Sequence, residues 1–211
     1  MTKFKAINRL WLLGAILLGS ASAQATTLLG MDIDQIAIQA ELIFEGEVIE
    51  RRALQDDNSG IINTFVTFRI LDVLKGNARG DTLELKFAGG EFEGQIVEVS
   101  GSVLPALNES GIYFVESATE DMLNPLLGWT QGHFKISVEE GERRIYSAQS
   151  KPVIQVQGMS GVPAAIKARR PLIQGKDGVA AGVLTEESSA ITVNRALTVD
   201  QFKQRIRGMI E

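Results

Sequence analysis

Period-two alternation of apolar and polar residues recurs from Leu42 to Val138, and only extended strands put every second side chain on one face. Leu42, Phe44, Gly46 and Val48 alternate with Ile43, Glu45, Glu47 and Ile49, and the glutamates mark the solvent face. Gly46 inside this run predicts a bend or bulge. Ile61 to Leu74 reads as a long strand, with Val66, Phe68 and Ile70 on one side and Thr67 and Arg69 on the other. The alternation slips at Leu71 to Val73, which predicts a bulge that bends the strand. QDDNSG (55–60) is a hairpin loop and KGNARGD (75–81) a turn. Leu83, Leu85 and Phe87 define the next strand, with Glu84 and Lys86 outward. Gln95 to Val99 is short and β-like, and Gly111 to Glu116 is a buried strand. In His133 to Val138, Phe134, Ile136 and Val138 point inward and His133, Lys135 and Ser137 outward; Arg143 to Tyr146 returns as a hairpin.

Helical spacing occurs at two places. Ile33, Ile36, Ala37 and Ala40 share one face of a short helix over Asp32 to Glu41, with acids at its start. Near the C-terminus, Thr198 and Gln201 form a capping box, and Val199, Phe202 and Ile206 make an apolar stripe, with Lys203, Arg205 and Arg207 solvated. Between the strands and this helix, residues 147–191 are rich in Gly and Pro and read as a loose connector. Six or seven short strands indicate a mainly β, antiparallel barrel or sandwich, and the bulged long strand and glycine corners favour the barrel.

The first 25 residues read as an export signal. Lys3, Lys5 and Arg9 precede an apolar run, Leu10 to Gly19, too short to span a bilayer, which needs roughly twenty residues. Cleavage is expected after Ala25, with Ala23 as the alternative, and the mature chain is expected to be soluble. Cleavage removes three of the 21 basic residues and none of the 26 acidic ones, taking the net charge from −5 to −8. That balance argues against nucleic acid, whose phosphates demand a basic face. With no cysteine and one histidine, disulfides, thiolate nucleophiles, cysteine zinc sites and lipid anchoring through cysteine are excluded, as is a multi-histidine metal site within one chain.

The order of helix, strand, acidic turn, long strand, Lys-Gly turn, strand and Gly-x-Tyr strand resembles the netrin-like, or TIMP-like, version of the OB fold. The matching segments are AELIFEGEVIE (40–50), QDDNSG (55–60), VTFRILDVLKG (66–76), DTLELKF (81–87) and GIYFVES (111–117). GWTQGHFKI (128–136) is similar to a segment that recurs in exported bacterial proteins. The resemblance implies an OB-like barrel over residues 31–146 with a short N-terminal helix; the apolar stripe of the C-terminal helix, 198–210, implies that this helix packs on the barrel. The resemblance also points to a protease as the partner class. The departure is at the N-terminus. In tissue inhibitors of metalloproteinases an N-terminal cysteine chelates the target's zinc, whereas this mature chain starts at Thr26 with no disulfide clamp. A free α-amine can still bind metal, since its unperturbed pKa is only about 7.7–8.0.

Trp129, Gln131 and His133 fall at spacing two, so an extended strand would put all three on one outward face. Such a trio suits a protein partner, because Trp offers contact area and Gln and His offer hydrogen bonds. The alternative is that Trp129 caps a barrel end and His133 is simply exposed. Asp56, Asp57 and Asn58 have oxygen ligands but a poor calcium-loop spacing, and read as a solvated turn. Gly158-Met159-Ser160-Gly161 lacks a nucleophile elbow, and Lys167, Arg169 and Arg170 form a small basic cluster. With no catalytic constellation and no cofactor motif, the sequence points to an exported, non-enzymatic protein-binding module, periplasmic or secreted. Thr26, Trp129, Gln131 and His133 are its contact candidates, and a co-secreted metalloprotease is the suggested partner. A structural envelope component and an exported enzyme with metal or carboxylate chemistry are the alternatives.

Overall fold

The computed structural model describes residues 30–162 and 178–211. The segment 1–25 read as an export signal, Thr26 and the basic cluster at 167–170 lie outside the described residues.

The alternating segments form strands β1 (Leu42–Gln55), β2 (Ile62–Lys75), β3 (Thr82–Ala88), β4 (Gly90–Phe92), β5 (Gln95–Val97), β6 (Ser110–Val115), β7 (His133–Glu139) and β8 (Glu142–Ser147). Six of them make one antiparallel sheet in the order β3-β2-β1-β6-β7-β8, and β4 and β5 form a separate hairpin. The two edges of the sheet do not pair with one another among the described residues. The chain is therefore mainly β and antiparallel, as its alternation predicts.

The sheet buries both faces. Leu42, Phe44 and Val48 of β1 join Val66, Phe68, Leu85, Phe87, Tyr113 and Val115 in one core. The residues between them, Ile43 on β1 and Ile112 and Phe114 on β6, face the opposite way into a second core with Phe134 and Ile145. Helices α1 (Ile33–Gln39) and α3 (Val199–Ile210) cover that second face. Phe68 and Tyr113 meet at 4.7 Å between ring centroids in the first core, and Phe134 and Phe202 at 4.8 Å in the second. Each fully buried side chain of this size contributes about 1.5–3 kcal/mol before entropy is counted.

Both main helices are held at their ends as well as along their stripes. In α1, the Asp32 amide donates to Gln35 Oε1 at 3.3 Å, and Lys75 Nζ donates to the C-terminal carbonyls of Ala37, at 3.1 Å, and Ile38. Gly76, next to Lys75, takes φ +83° where its chain runs against the Glu41 carbonyl; a Cβ there would lie 2.3 Å from that oxygen. In α3, Thr198 Oγ1 accepts from the Gln201 amide and Gln201 Oε1 accepts from the Thr198 amide, closing the expected capping box.

The slip in alternation at Leu71 to Val73 is a bulge. Gly46 pairs with Ile70 and Glu45 with Asp72, so Leu71 has no partner; Leu74 and Ile49 are skipped in the same way. Without the bulge, Asp72 would share a face with Phe68 and Ile70. The extra residue turns it to the α3 face beside Glu45. There Lys203 of α3 pairs with Glu45 and, at 2.8 Å, with Asp72, while Arg207 reaches Asp72 at 3.1 Å and Arg143 of β8 reaches Glu45. Arg143 and Glu45 stand three strands apart in the order, about 14 Å in a flat sheet, so their contact requires the sheet to curl.

Two expectations are corrected here. Glu45, placed on the solvent face, is 2% exposed, and Lys203, read as solvated, is 8% exposed. The reason is the same for both: α3 lies over the face that Glu45 occupies, and the charges neutralise each other beneath it. The connector 147–191 is also not loose in its described parts. Strands β9 (Val153–Val156) and β10 (Val183–Thr185) pair, a short helix α2 (Ala190–Arg195) follows, and Val153, Val156, Met159 and Ala180 are buried. Strands this short leave no periodicity to read. Leu197, after α2, protects the β8 edge: the Ile145 amide donates to its carbonyl at 2.9 Å, and its amide donates to Val153 O at 2.8 Å.

Candidate functional site

His133 opens β7 and pairs with Tyr113 of β6, so it points to the first core and is 0% exposed. The outward placement expected for it is wrong, because β6 and the start of β7 are covered on both faces and alternation there does not separate core from solvent. Its Nε2 lies 2.6 Å from Glu109 Oε1; a carboxylate only accepts, so Nε2 carries the proton and donates. The Tyr113 hydroxyl donates to the same oxygen at 3.1 Å, and the Ala106 amide donates to Glu109 Oε2 at 3.3 Å. Lys135 Nζ stands 3.8 Å from Oε2. Burial pushes the Glu109 carboxyl up, but the bond and charge of His133, the charge of Lys135 and the Ala106 amide outweigh it and hold the group below the usual carboxylate range. Burial first, and the Glu109 charge beside it, push the Tyr113 phenol well above its ordinary value. Glu109 sits at the end of the loop from β5 to β6, and the Val48 amide donates to its carbonyl at 2.9 Å. The cluster thus clamps this loop to the sheet, and its groups face each other beneath the surface.

The other contact candidates go elsewhere. Residues Trp129–Gly132 form a 3₁₀ turn and not an extension of β7, so Trp129, Gln131 and His133 do not share a strand face. Trp129 is half-buried with φ +59°, an uncommon backbone for a bulky residue. Gln131 is buried, and its Oε1 accepts from the Met31 amide at 2.8 Å, tying down the start of the described chain. Asp56 Oδ1 accepts from the Asn58 and Ser59 amides and the Ser59 hydroxyl, at 3.0, 2.7 and 2.8 Å, so it serves its own turn. No group of three or more acidic, histidine or cysteine residues is placed to hold a metal among the described residues. No helix among them is long and apolar enough to cross a membrane.

Several exposed aliphatic side chains lie at one end of the sheet, which the alternation alone does not single out. Leu54 of β1 and Ala88 of β3 both pair with Asn63, and the Ala88 amide donates to Leu123 O at 2.8 Å, so Leu54 and Leu123 belong to one end of the sheet. Gly90 of β4 packs on Thr64 and Ala53, where a Cβ would meet the Thr64 hydroxyl at 2.1 Å, and this seats the β4–β5 hairpin at that end too. Leu54, Ile61, Ile96, Val97 and Leu123 are all exposed there, Ile96 by 69%. The same segments carry the exposed acids Asp57, Glu91, Glu93, Glu98, Glu120 and Asp121, and β1 adds the exposed Arg51 and Arg52. The signal in the sequence was the EFEGQIVEV run (91–99), whose alternation has no core to serve.

No family model, curated protein or solved structure matches the chain.

Proposed function

We propose that this chain is an exported protein-binding module that presents the hairpin end of an OB-like curled sheet to a partner. The observation that carries the reading is the set of five exposed aliphatic side chains, Leu54, Ile61, Ile96, Val97 and Leu123, gathered at one end from three separate loops and strands. Scattered apolar residues need no explanation, but several gathered at one end of a sheet among charged residues are what a protein partner can use. The excess of acid there suits a partner whose apolar contact is bordered by lysine or arginine. The OB-like, netrin-like layout and the export signal support a co-secreted protease as the class of partner. A structural envelope component would dock another chain through the C-terminal helix stripe; Val199, Phe202 and Ile206 are instead buried within this chain, which favours the binding module.

The test is capture of the partner by the tagged protein from its own periplasm and medium, with N-terminal sequencing to establish a start at Thr26. Ile96→Asp in the patch should release a stoichiometric partner. Ile191→Asp, on the exposed face of α2, should retain it. Equal retention by both variants would place the interface elsewhere and overturn the reading.

A further inference from the structure

We propose that the free edge of β3 is a strand acceptor: an extended segment of the partner, apolar at every second position and basic between, adds to it as one more strand. This rests on the protein-binding reading and specifies its chemistry. In the antiparallel pair of β2 and β3, successive β3 residues direct their main-chain groups alternately toward β2 and away from it. Ala88 fixes the phase, since its amide donates away from β2 to Leu123 O, while the next amide, of Gly89, donates back to Ile62 O at 2.8 Å. Two and four residues earlier, Lys86 and Glu84 therefore also turn their N–H and C=O groups to the open side. Among the described residues no strand pairs with that side of β3.

What these groups face is a cleft of about 250 Å³, lined by Phe65, Leu85 and Lys86 and walled by residues 117–121. Main-chain donors and acceptors repeating every second residue are the complement of an extended peptide. Side chains entering from such a peptide would alternate between the Leu85 side and the Phe65 face. On the latter, Asp121 pairs with Lys86 and Glu84 with Arg52, at 3.0 Å and over the Phe65 ring, which leaves Glu120 in excess, so the local charge selects a basic residue. The same excess of acid opposes edge-to-edge pairing with a second copy of this chain, which favours a partner's segment.

The probe is a displayed library of random peptides panned on the purified full chain. Selected peptides should alternate apolar and basic residues, and on binding should slow amide exchange at Glu84 and Lys86. Glu84→Pro removes one outward-facing N–H without touching the β2 ladder, so the melt should hold while peptide affinity falls about tenfold. Should that variant misfold, Glu120→Lys with Asp121→Lys leaves the strand intact and should weaken the basic peptides to a similar extent. Peptides that protect other amides, peptides bound equally by Glu84→Pro and the parent, or an empty selection would each overturn the proposal. Self-association abolished by Glu84→Pro would do so too, by assigning the edge to a second copy. Loss of the native partner with Ile96→Asp but not with Glu84→Pro would sink this inference and leave the binding-module reading standing.

Discussion

Glu109 loses most of its hydration, and four neighbours compensate: the Ala106 amide, the Tyr113 hydroxyl, His133 Nε2 and the Lys135 ammonium. Because these hold its folded pKa below the unfolded value of about 4.3, the stabilisation is complete above that pH and is lost as pH falls through the folded value. Glu109→Gln should therefore lower the unfolding free energy by about 2–3 kcal/mol at neutral pH, the range for a charged hydrogen bond lost in the interior. In urea titrations the deficit should shrink at low pH, where the parent carboxyl is itself neutral. An equal deficit at both pH values would show that shape and not charge is at stake. The burial of His133 was legible in part. The unbroken apolar run Ile112 to Val115 already implied a strand covered on both faces, and its neighbour shares that cover. That Glu109 is the partner was not legible, because the pairing depends on where a long loop returns.

The C-terminal helix shows the same division. Its capping box and stripe are local and were readable; its charge network is not local. Lys203 lies four residues after Val199 and three before Ile206, which is the buried face of a helix, so its position already favoured burial. Its partners Glu45 and Asp72 come from two different strands, and Asp72 reaches the helix only through the bulge at Leu71. Lys203→Met should cost about 3 kcal/mol, since it leaves Glu45 buried with only Arg143 as counter-charge. Arg207→Ala, removing a half-exposed partner of Asp72, should cost under about 1 kcal/mol. Comparable losses for the two in thermal or chemical unfolding would mean that depth does not grade the network as the burial implies.

At the scale of the molecule, β1 and β6 give alternate residues to both cores, so neither core can open without stripping a strand from the other. The alternation predicted strands but not their neighbours, because pairing order is set by long-range contacts that no window of sequence contains. It also predicted one apolar face per strand, where the central strands have two. The shared strands imply one cooperative transition. Phe68→Ala in the first core and Phe202→Ala in the second should each cost about 3–5 kcal/mol, both rings being fully buried. Without residues 1–25, Trp129 is the chain's one tryptophan, and its 3₁₀ turn is linked on both sides to second-core residues, Leu127 before it and Phe134 after it. Its fluorescence therefore reports on that side, while far-ultraviolet circular dichroism reports on the whole sheet. In urea the two signals should move together in the parent and in both variants, including Phe68→Ala, whose lesion lies on the opposite face. If Phe68→Ala shifts the dichroism and leaves the Trp129 transition in place, the two cores unfold separately and the shared strands do not couple them.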